Sequence, residues 1–144
     1  MESGLLLPDV EDPAAAEFWA GTARSELLVQ ACGSCGKWRM PPRPMCPYCR
    51  SLETRWEPTS GRGTIWSFIV PHPPLLPAYA ELAPYNSIVV ALDDDPTIRF
   101  VGNLVAREDG PINEIDPSTI AIGEPVRVVF QAVEEVTLPR WVRA

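Results

Sequence analysis

The second half of the chain carries a β pattern of apolar and polar positions. Residues 64–70, Thr-Ile-Trp-Ser-Phe-Ile-Val, are apolar on both faces, which predicts a central strand. Residues 86–92 and 97–105 read as two more strands, joined as a hairpin across Asp93-Asp94-Asp95-Pro96. Residues 107–120 read as a loop with one helical turn at Asp116-Pro117-Ser118-Thr119. Gly123-Glu124-Pro125 then opens a strand over 126–133, with Val126, Val128, Phe130 and Ala132 on one face. Residues 136–142 make a final short strand or tail. Five strands with a helical turn between the third and fourth follow the order of an OB-type barrel.

The first half is more broken. Asp12-Pro13 reads as N-cap and first helical position, and helical spacing then puts Ala15, Phe18, Trp19, Thr22 and Ala23 on one side. The helix should stop near Ser25. A short strand over 26–31, a return arm at Lys37-Trp38-Arg39-Met40 and a third strand over 52–57 follow. Thr59-Ser60-Gly61-Arg62-Gly63 is a turn, and it marks a boundary. The expected division is an N-terminal arm and helix (1–31), a metal ribbon (32–60) and a barrel (61–144). One insertion, residues 71–85, holds five prolines, His72, Tyr79 and Tyr85 between the first two barrel strands. It is stiff and apolar, so it either packs over one barrel end or meets a partner. Phe18 and Trp19 on the helix, with Leu75, Leu76 and Tyr79 in the insertion, are the candidate partner contacts.

All four cysteines fall in one stretch: Cys32-Gly33-Ser34-Cys35, ten residues, then Cys46-Pro47-Tyr48-Cys49. A Cys-x-x-Cys turn lets two sulfurs converge on one metal about 2.3 Å away, and two such turns complete a tetrahedron. Gly33 and Gly36 suit tight or positive-φ turns there. The chain opens Met1-Glu2-Ser3-Gly4 with no basic-then-apolar segment, which argues against disulfides and for a cytoplasmic setting. A thioredoxin-like site needs one such pair, not two. Zinc is the expected ion, with iron on the same four thiolates as the alternative. Four protein ligands close the coordination sphere, so the metal should be structural.

Composition narrows the function classes. At 46% apolar and 144 residues the chain is an ordinary globular one, and no apolar run approaches the roughly 18 residues of a membrane span. The net charge is −7, yet residues 32–62 carry Lys37, Arg39, Arg43, Arg50, Arg55 and Arg62 against Glu53 and Glu57. That stretch is +4, leaving −11 elsewhere. A basic ribbon on an acidic body can meet phosphate-bearing ligands or an acidic partner, or balance the −2 tetrathiolate of a zinc site. The catalytic inventory is thin. No thiol is spare, His72 is the lone imidazole, Asp93-Asp94-Asp95 reads as a solvated turn, and no phosphate loop or nucleophile elbow occurs.

Phe18-Trp19 on an acidic N-terminal helix, the Cys32…Cys49 ribbon, Gly61-x-Gly63-Thr64 leading into a strand, Gly123-x-Pro125-Val126-x-Val128 and the Leu138-Pro139 tail occur here in one order. This order resembles the OB-fold proteins with a rubredoxin-like zinc ribbon, long catalogued as domain of unknown function 35 and also called acyl-CoA-associated. The likeness covers about residues 8–143. It implies a mostly β chain: N-terminal helix, four-cysteine zinc ribbon, five-stranded OB-type barrel. It also implies an accessory subunit, not catalytic alone, of a thiolase-superfamily enzyme acting on acyl-CoA thioesters. One branch of the family serves retro-aldol cleavage of a steroid side-chain acyl-CoA. Thiolase, acyltransferase and hydroxymethylglutaryl-CoA synthase partners are the alternatives. Arg39, Arg43 and Arg50 are the first candidates for CoA phosphates. Nucleic-acid binding is the rival class, and the acidic barrel argues against it.

Overall fold

The structure is a computed structural model and describes residues 4–144. The N-terminal helix α1 (Ala16–Ala23) starts one turn later than its sequence predicts. Asp12 accepts the Ala14 N–H on Oδ1 at 3.0 Å and the Ala15 and Ala16 N–H groups on its carbonyl, so it caps a turn ahead of the helix. The helix ends where Ser25 takes φ 62° and the Glu26 N–H turns back to the Gly21 carbonyl.

Strands β1 (Leu28–Cys32), β2 (Trp38–Arg39) and β3 (Thr54–Pro58) form an antiparallel sheet in the order β2-β1-β3. The second sheet holds β4 (Arg62–Ile69), β5 (Ser87–Leu92), β6 (Arg99–Gly102), β7 (Pro125–Val133) and β8 (Val136–Arg143). Its order is β6-β5-β4-β7-β8, antiparallel throughout, with β4 central as its apolar pattern requires. A 3₁₀ turn at Pro117–Thr119 lies between the third and fourth strands, and Asp116 accepts the Ser118 N–H to cap it.

The sheet curls until its two edges meet. Leu104, just past β6, bridges Trp141 of β8 in parallel, with Val105 donating to the Trp141 carbonyl and Trp141 to the Asn103 carbonyl. Gly102 permits the approach, since a Cβ there would lie 2.9 Å from the Trp141 ring. Asn86 clasps the same corner. Its side chain donates to the Leu104 carbonyl at 2.9 Å and accepts the Leu104 N–H at 2.6 Å, all in the buried interior. The result is an OB-type half-barrel.

Ile65, Ile88, Val90, Leu92, Val126 and Trp141 fill it, together with Leu27 and Val29 of the ribbon and Phe18 of α1. Ribbon and barrel therefore share one core. On β7, Val126, Val128 and Phe130 face this core as predicted, while Ala132 is exposed.

Three features depart from the sequence reading. Residues 136–142, expected as a short strand or tail, are a strand, and longer than expected: β8 pairs with β7 along eight residues from Val136 to Arg143. The insertion contains a short helix, α2 (Pro77–Leu82), with Pro77 in its first turn. Leu75, Tyr79 and Leu82 from it pack on a second cluster of Tyr85, Val105, Ile112, Val129 and Val142. Strand β4 is central but not covered on both faces. Trp66 sits at a bulge between Ile65 and Ser67, and Trp66 and Ile69 remain exposed on the outer face.

Candidate metal centre and the surfaces around it

The four cysteine sulfurs all lie within 4.8 Å of one another. Cys32 and Cys49 are 3.5 Å apart at sulfur and Cys35 and Cys46 are 3.7 Å apart. A tetrahedron with bonds of about 2.3 Å has edges of about 3.8 Å, so this cage has the size of a zinc tetrathiolate.

Two matching knuckles build it. In the first, Gly36 donates to the Cys32 carbonyl and Cys32 to the Lys37 carbonyl; in the second, Arg50 donates to the Cys46 carbonyl and Cys46 to the Ser51 carbonyl. Each knuckle needs positive φ just after its second cysteine, met by Gly36 at 79° and Arg50 at 67°. Gly33 serves differently: it has no positive φ, but a Cβ there would lie 2.9 Å from the Glu53 Cβ.

The electrostatics call for a cation. Cys32 is held down at about 6, first by the Cys35 N–H on its sulfur and also by that of Ser34. At Cys46 burial pushes upward, but the Cys49 and Tyr48 N–H groups prevail and its pKa is lowered. At Cys49 the Ser51 N–H pulls down, yet the neighbouring sulfurs and burial carry the thiol up to about 11. Four sulfurs this close do not all ionise without a cation between them, and a divalent soft metal satisfies all four. The donor set fits a structural zinc, held by Cys32, Cys35, Cys46 and Cys49.

The ribbon's basic residues stand in different environments. Arg39 is 4% exposed; its Nη2 donates to the Arg43 carbonyl at 3.0 Å, while Nε and Nη1 find no partner among the described residues. It props the turn over 40–44, which Gln30 also holds by accepting the Arg43 N–H. Arg55 is engaged by Glu57 and the Cys32 carbonyl, and Lys37 lies 4.4 Å from the Tyr48 ring centroid. Arg43 and Arg50 are exposed.

The aromatic candidates separate too. Phe18 is buried and stacks on Phe100, with ring centroids 6.0 Å apart, while Trp19 is half-buried against it. Tyr79 and Leu75 are half-buried, Leu76 is exposed, and His72 is exposed. Phe18 and Trp19 line an apolar groove of about 400 Å³ together with Met40, Pro41 and Pro42 and with Arg99, Phe100 and Val101 of β6. Sequence reading names Arg99 only under the rival nucleic-acid class and does not single out Val101. Their signal was alternation, since both fall on the face of β6 opposite Phe100.

A four-thiolate zinc ribbon fused through a shared core to an OB-type half-barrel defines the class of this protein. The ChsH2 rubredoxin-like zinc ribbon domain matches residues 19–55, and the ChsH2 C-terminal OB-fold domain matches residues 56–131. The chain belongs to this ChsH2, or DUF35, family. It is 33% identical over 113 residues to a DUF35 domain-containing scaffold protein of Methanothermobacter thermautotrophicus, covering 78% of this chain and 77% of that one. It is 32% identical over 124 residues to the 3-oxo-4,17-pregnadiene-20-carboxyl-CoA hydratase alpha subunit of Mycobacterium tuberculosis. That match covers 86% of this chain and 36% of the relative. The chain spans about a third of the length of the hydratase alpha subunits it matches. Among solved structures it superimposes on a chain of the Ltp2-ChsH2(DUF35) aldolase with TM-score 0.79 and 31% identity, over 94% of this chain and 98% of that one. Among the described residues, no helix is long and apolar enough to cross a membrane.

Proposed function

We propose that this chain is the accessory subunit of a thiolase-superfamily enzyme that cleaves a carbon–carbon bond of an acyl-CoA thioester. Retro-aldol cleavage of a steroid side-chain acyl-CoA is the reaction we favour. The observation that carries this reading is the likeness to the Ltp2-ChsH2(DUF35) aldolase chain, which runs nearly end to end in both proteins. The chemistry of the centre agrees with it. A zinc with four protein sulfurs has no open position for a water or a substrate oxygen, so it shapes the ribbon and does not activate a bond. The reacting groups then belong to the partner subunit. This chain contributes shape, and its exposed Arg43 and Arg50 contact the phosphates of CoA, with Arg39 holding the turn that carries Arg43.

Purification of the tagged chain from its native host tests the reading. A thiolase-like subunit recovered in stoichiometric amount, with aldolase activity on acyl-CoA, is the expected result. Co-purified nucleic acid, or the chain alone, overturns it. In the assembly, Arg43→Ala and Arg50→Ala should each raise the apparent KM for acyl-CoA severalfold with little change in kcat, because a lost phosphate contact weakens ground and transition states alike. Unchanged kinetics in both variants remove CoA from this surface.

A second reading has its own support. The hydratase alpha subunits share this chain's sequence over a third of their length, so the same module also serves complexes named for hydration. Assaying the recovered assembly with both an enoyl-CoA and a β-hydroxyacyl-CoA separates the two.

A further inference from the structure

We propose that the free edge of β6 receives an extended segment of the partner subunit, which joins the five-stranded sheet as a sixth strand. The inference rests on the partner-subunit reading and specifies where and how the partner docks. It begins with hydrogen-bond parity. β6 is the first strand of its sheet and pairs with β5 alone along its length. The Leu92 N–H donates to the Ile98 carbonyl, so in an antiparallel ladder Phe100 and Gly102 also bond towards β5. The N–H and C=O groups of Arg99 and Val101 therefore point away from the sheet. Among the described residues they have no backbone partner.

Proteins blunt such an edge by keeping it short or with charged side chains, proline, a bulge or a cover, and β6 has only its shortness and the single charge of Arg99. Here the edge runs Arg-Phe-Val-Gly, and Val101 is 73% exposed. It opens beside the groove walled by Phe18, Trp19, Met40 and Pro42, so a strand laid along it would bury apolar side chains on Phe100 and the helix.

Charge complementarity selects the occupant. The Arg99 guanidinium lies 3.7 Å from the Trp66 ring centroid, and among the described residues no carboxylate lies within ion-pair distance of it. The incoming strand therefore carries Asp or Glu opposite Arg99 and an apolar residue opposite Phe100. A second copy of this chain does not supply that. Two β6 strands paired antiparallel about Phe100 would set Arg99 against Val101 and leave the guanidinium uncompensated. An acyl chain would fill the groove but leave the four outward backbone groups unpaired.

The test uses the full chain and its complex with the thiolase-like subunit. Amide hydrogen exchange at Arg99 and Val101 is compared between the free chain and the assembly, and affinity is measured for three variants. Val101→Pro removes only an outward N–H, which an edge strand tolerates; Arg99→Glu reverses the charge; Val101→Thr keeps both N–H and β-branching. We expect at least about tenfold protection of both amides on assembly, about tenfold weaker binding for Val101→Pro and Arg99→Glu, and near-native binding for Val101→Thr. If Val101→Pro fails to fold, exchange in the native chain and Arg99→Glu still decide. An assembly that forms with both amides unprotected overturns the strand-addition proposal and leaves the subunit reading standing. A homodimer whose formation protects these amides overturns it in favour of self-pairing. A chain that binds no thiolase-like subunit overturns both.

Discussion

Replacing Asn86 with alanine should cost more stability than any other polar substitution in the barrel. The side chain stands at 0% exposure and meets the backbone of Leu104, itself at 0%, as another strand would. It accepts the Leu104 N–H at 2.6 Å and donates to the Leu104 carbonyl at 2.9 Å. The backbone bonds that close the barrel here come from Asn103 and Val105, so Leu104's own peptide groups depend on Asn86. Asn86→Ala orphans a buried donor and a buried acceptor, at about 1–3 kcal/mol each, for a total of about 2–6 kcal/mol. A domain of this kind is stable by about 5–15 kcal/mol, so the loss is a large fraction of the whole. Urea unfolding of the zinc-loaded protein followed by tryptophan fluorescence reads it as a fall in midpoint at constant m. Asn86→Asp is the informative companion. It keeps the acceptor for the Leu104 N–H but sets carboxylate oxygen against the Leu104 carbonyl, and it should be at least as damaging. A loss below about 1 kcal/mol for Asn86→Ala would show that the clasp is not what closes the corner.

Two further outcomes follow from other parts of the fold. Chelating the metal, or Cys46→Ser, should unfold the ribbon, because a structural zinc site supplies on the order of 10–16 kcal/mol; one zinc per native chain and a variant that no longer unfolds in the native transition are the expected readouts, and a Cys46→Ser chain with native unfolding and assembly contradicts the role. Asp116 has its pKa lowered, first by the Ser118 N–H and then by the Ser118 hydroxyl. A folded-state pKa below the unfolded one means that its ionised form stabilises the fold above the ordinary carboxylate pKa, and that this is lost as pH falls through the lower folded value. The stability gap between native protein and Asp116→Asn should thus be open at about pH 7 and shrink as pH falls below the ordinary carboxylate pKa, and a gap independent of pH refutes the cap's charge.

How much of this could be read from the sequence depended on whether the signal was local. Cysteine spacing is local, and the cage stands where the two Cys-x-x-Cys pairs put it. Strand order and the turn at Asp116 were legible for the same reason, since apolar runs and a capping Asp-Pro announce themselves within a few residues. β8 reads as either a short strand or a tail, and the strand is what forms, with Pro139 inside it. The fold tolerates the proline at the sheet's outer strand, where a missing N–H need not disturb the ladder. Arg39 looked like surface charge because sequence reports a residue's type and not its depth; it is the partner of Gln30 across β1 and β2 that turns it inward. The Asn86 clasp joins residues 18 apart in sequence, and no local pattern marks it. The bulge at Trp66 is equally silent, yet it sets the tryptophan beside Arg99.

The shared core ties the metal to the proposed docking edge. Leu27 precedes β1 and Val29 lies on it, and both pack with Ile65, Val90 and Trp141, while Cys32 at the end of the same strand is a ligand. The junction is pinned as well: Thr59 donates to the Leu27 carbonyl through both N–H and hydroxyl, and Ser60 donates twice to Asp94 in the hairpin between β5 and β6. Met40 and Pro42, which wall the groove, follow β2 directly and are carried by the turn that Gln30 and Arg39 hold. Loss of zinc therefore frees the wall made by Met40 and Pro42 first, since the backbone closure of β4 to β8 through Asn86 and the Leu104–Trp141 bridge lies outside the ribbon. A structural metal far from any reacting bond can in this way govern assembly, by setting the width of the groove in which the partner's strand would lie.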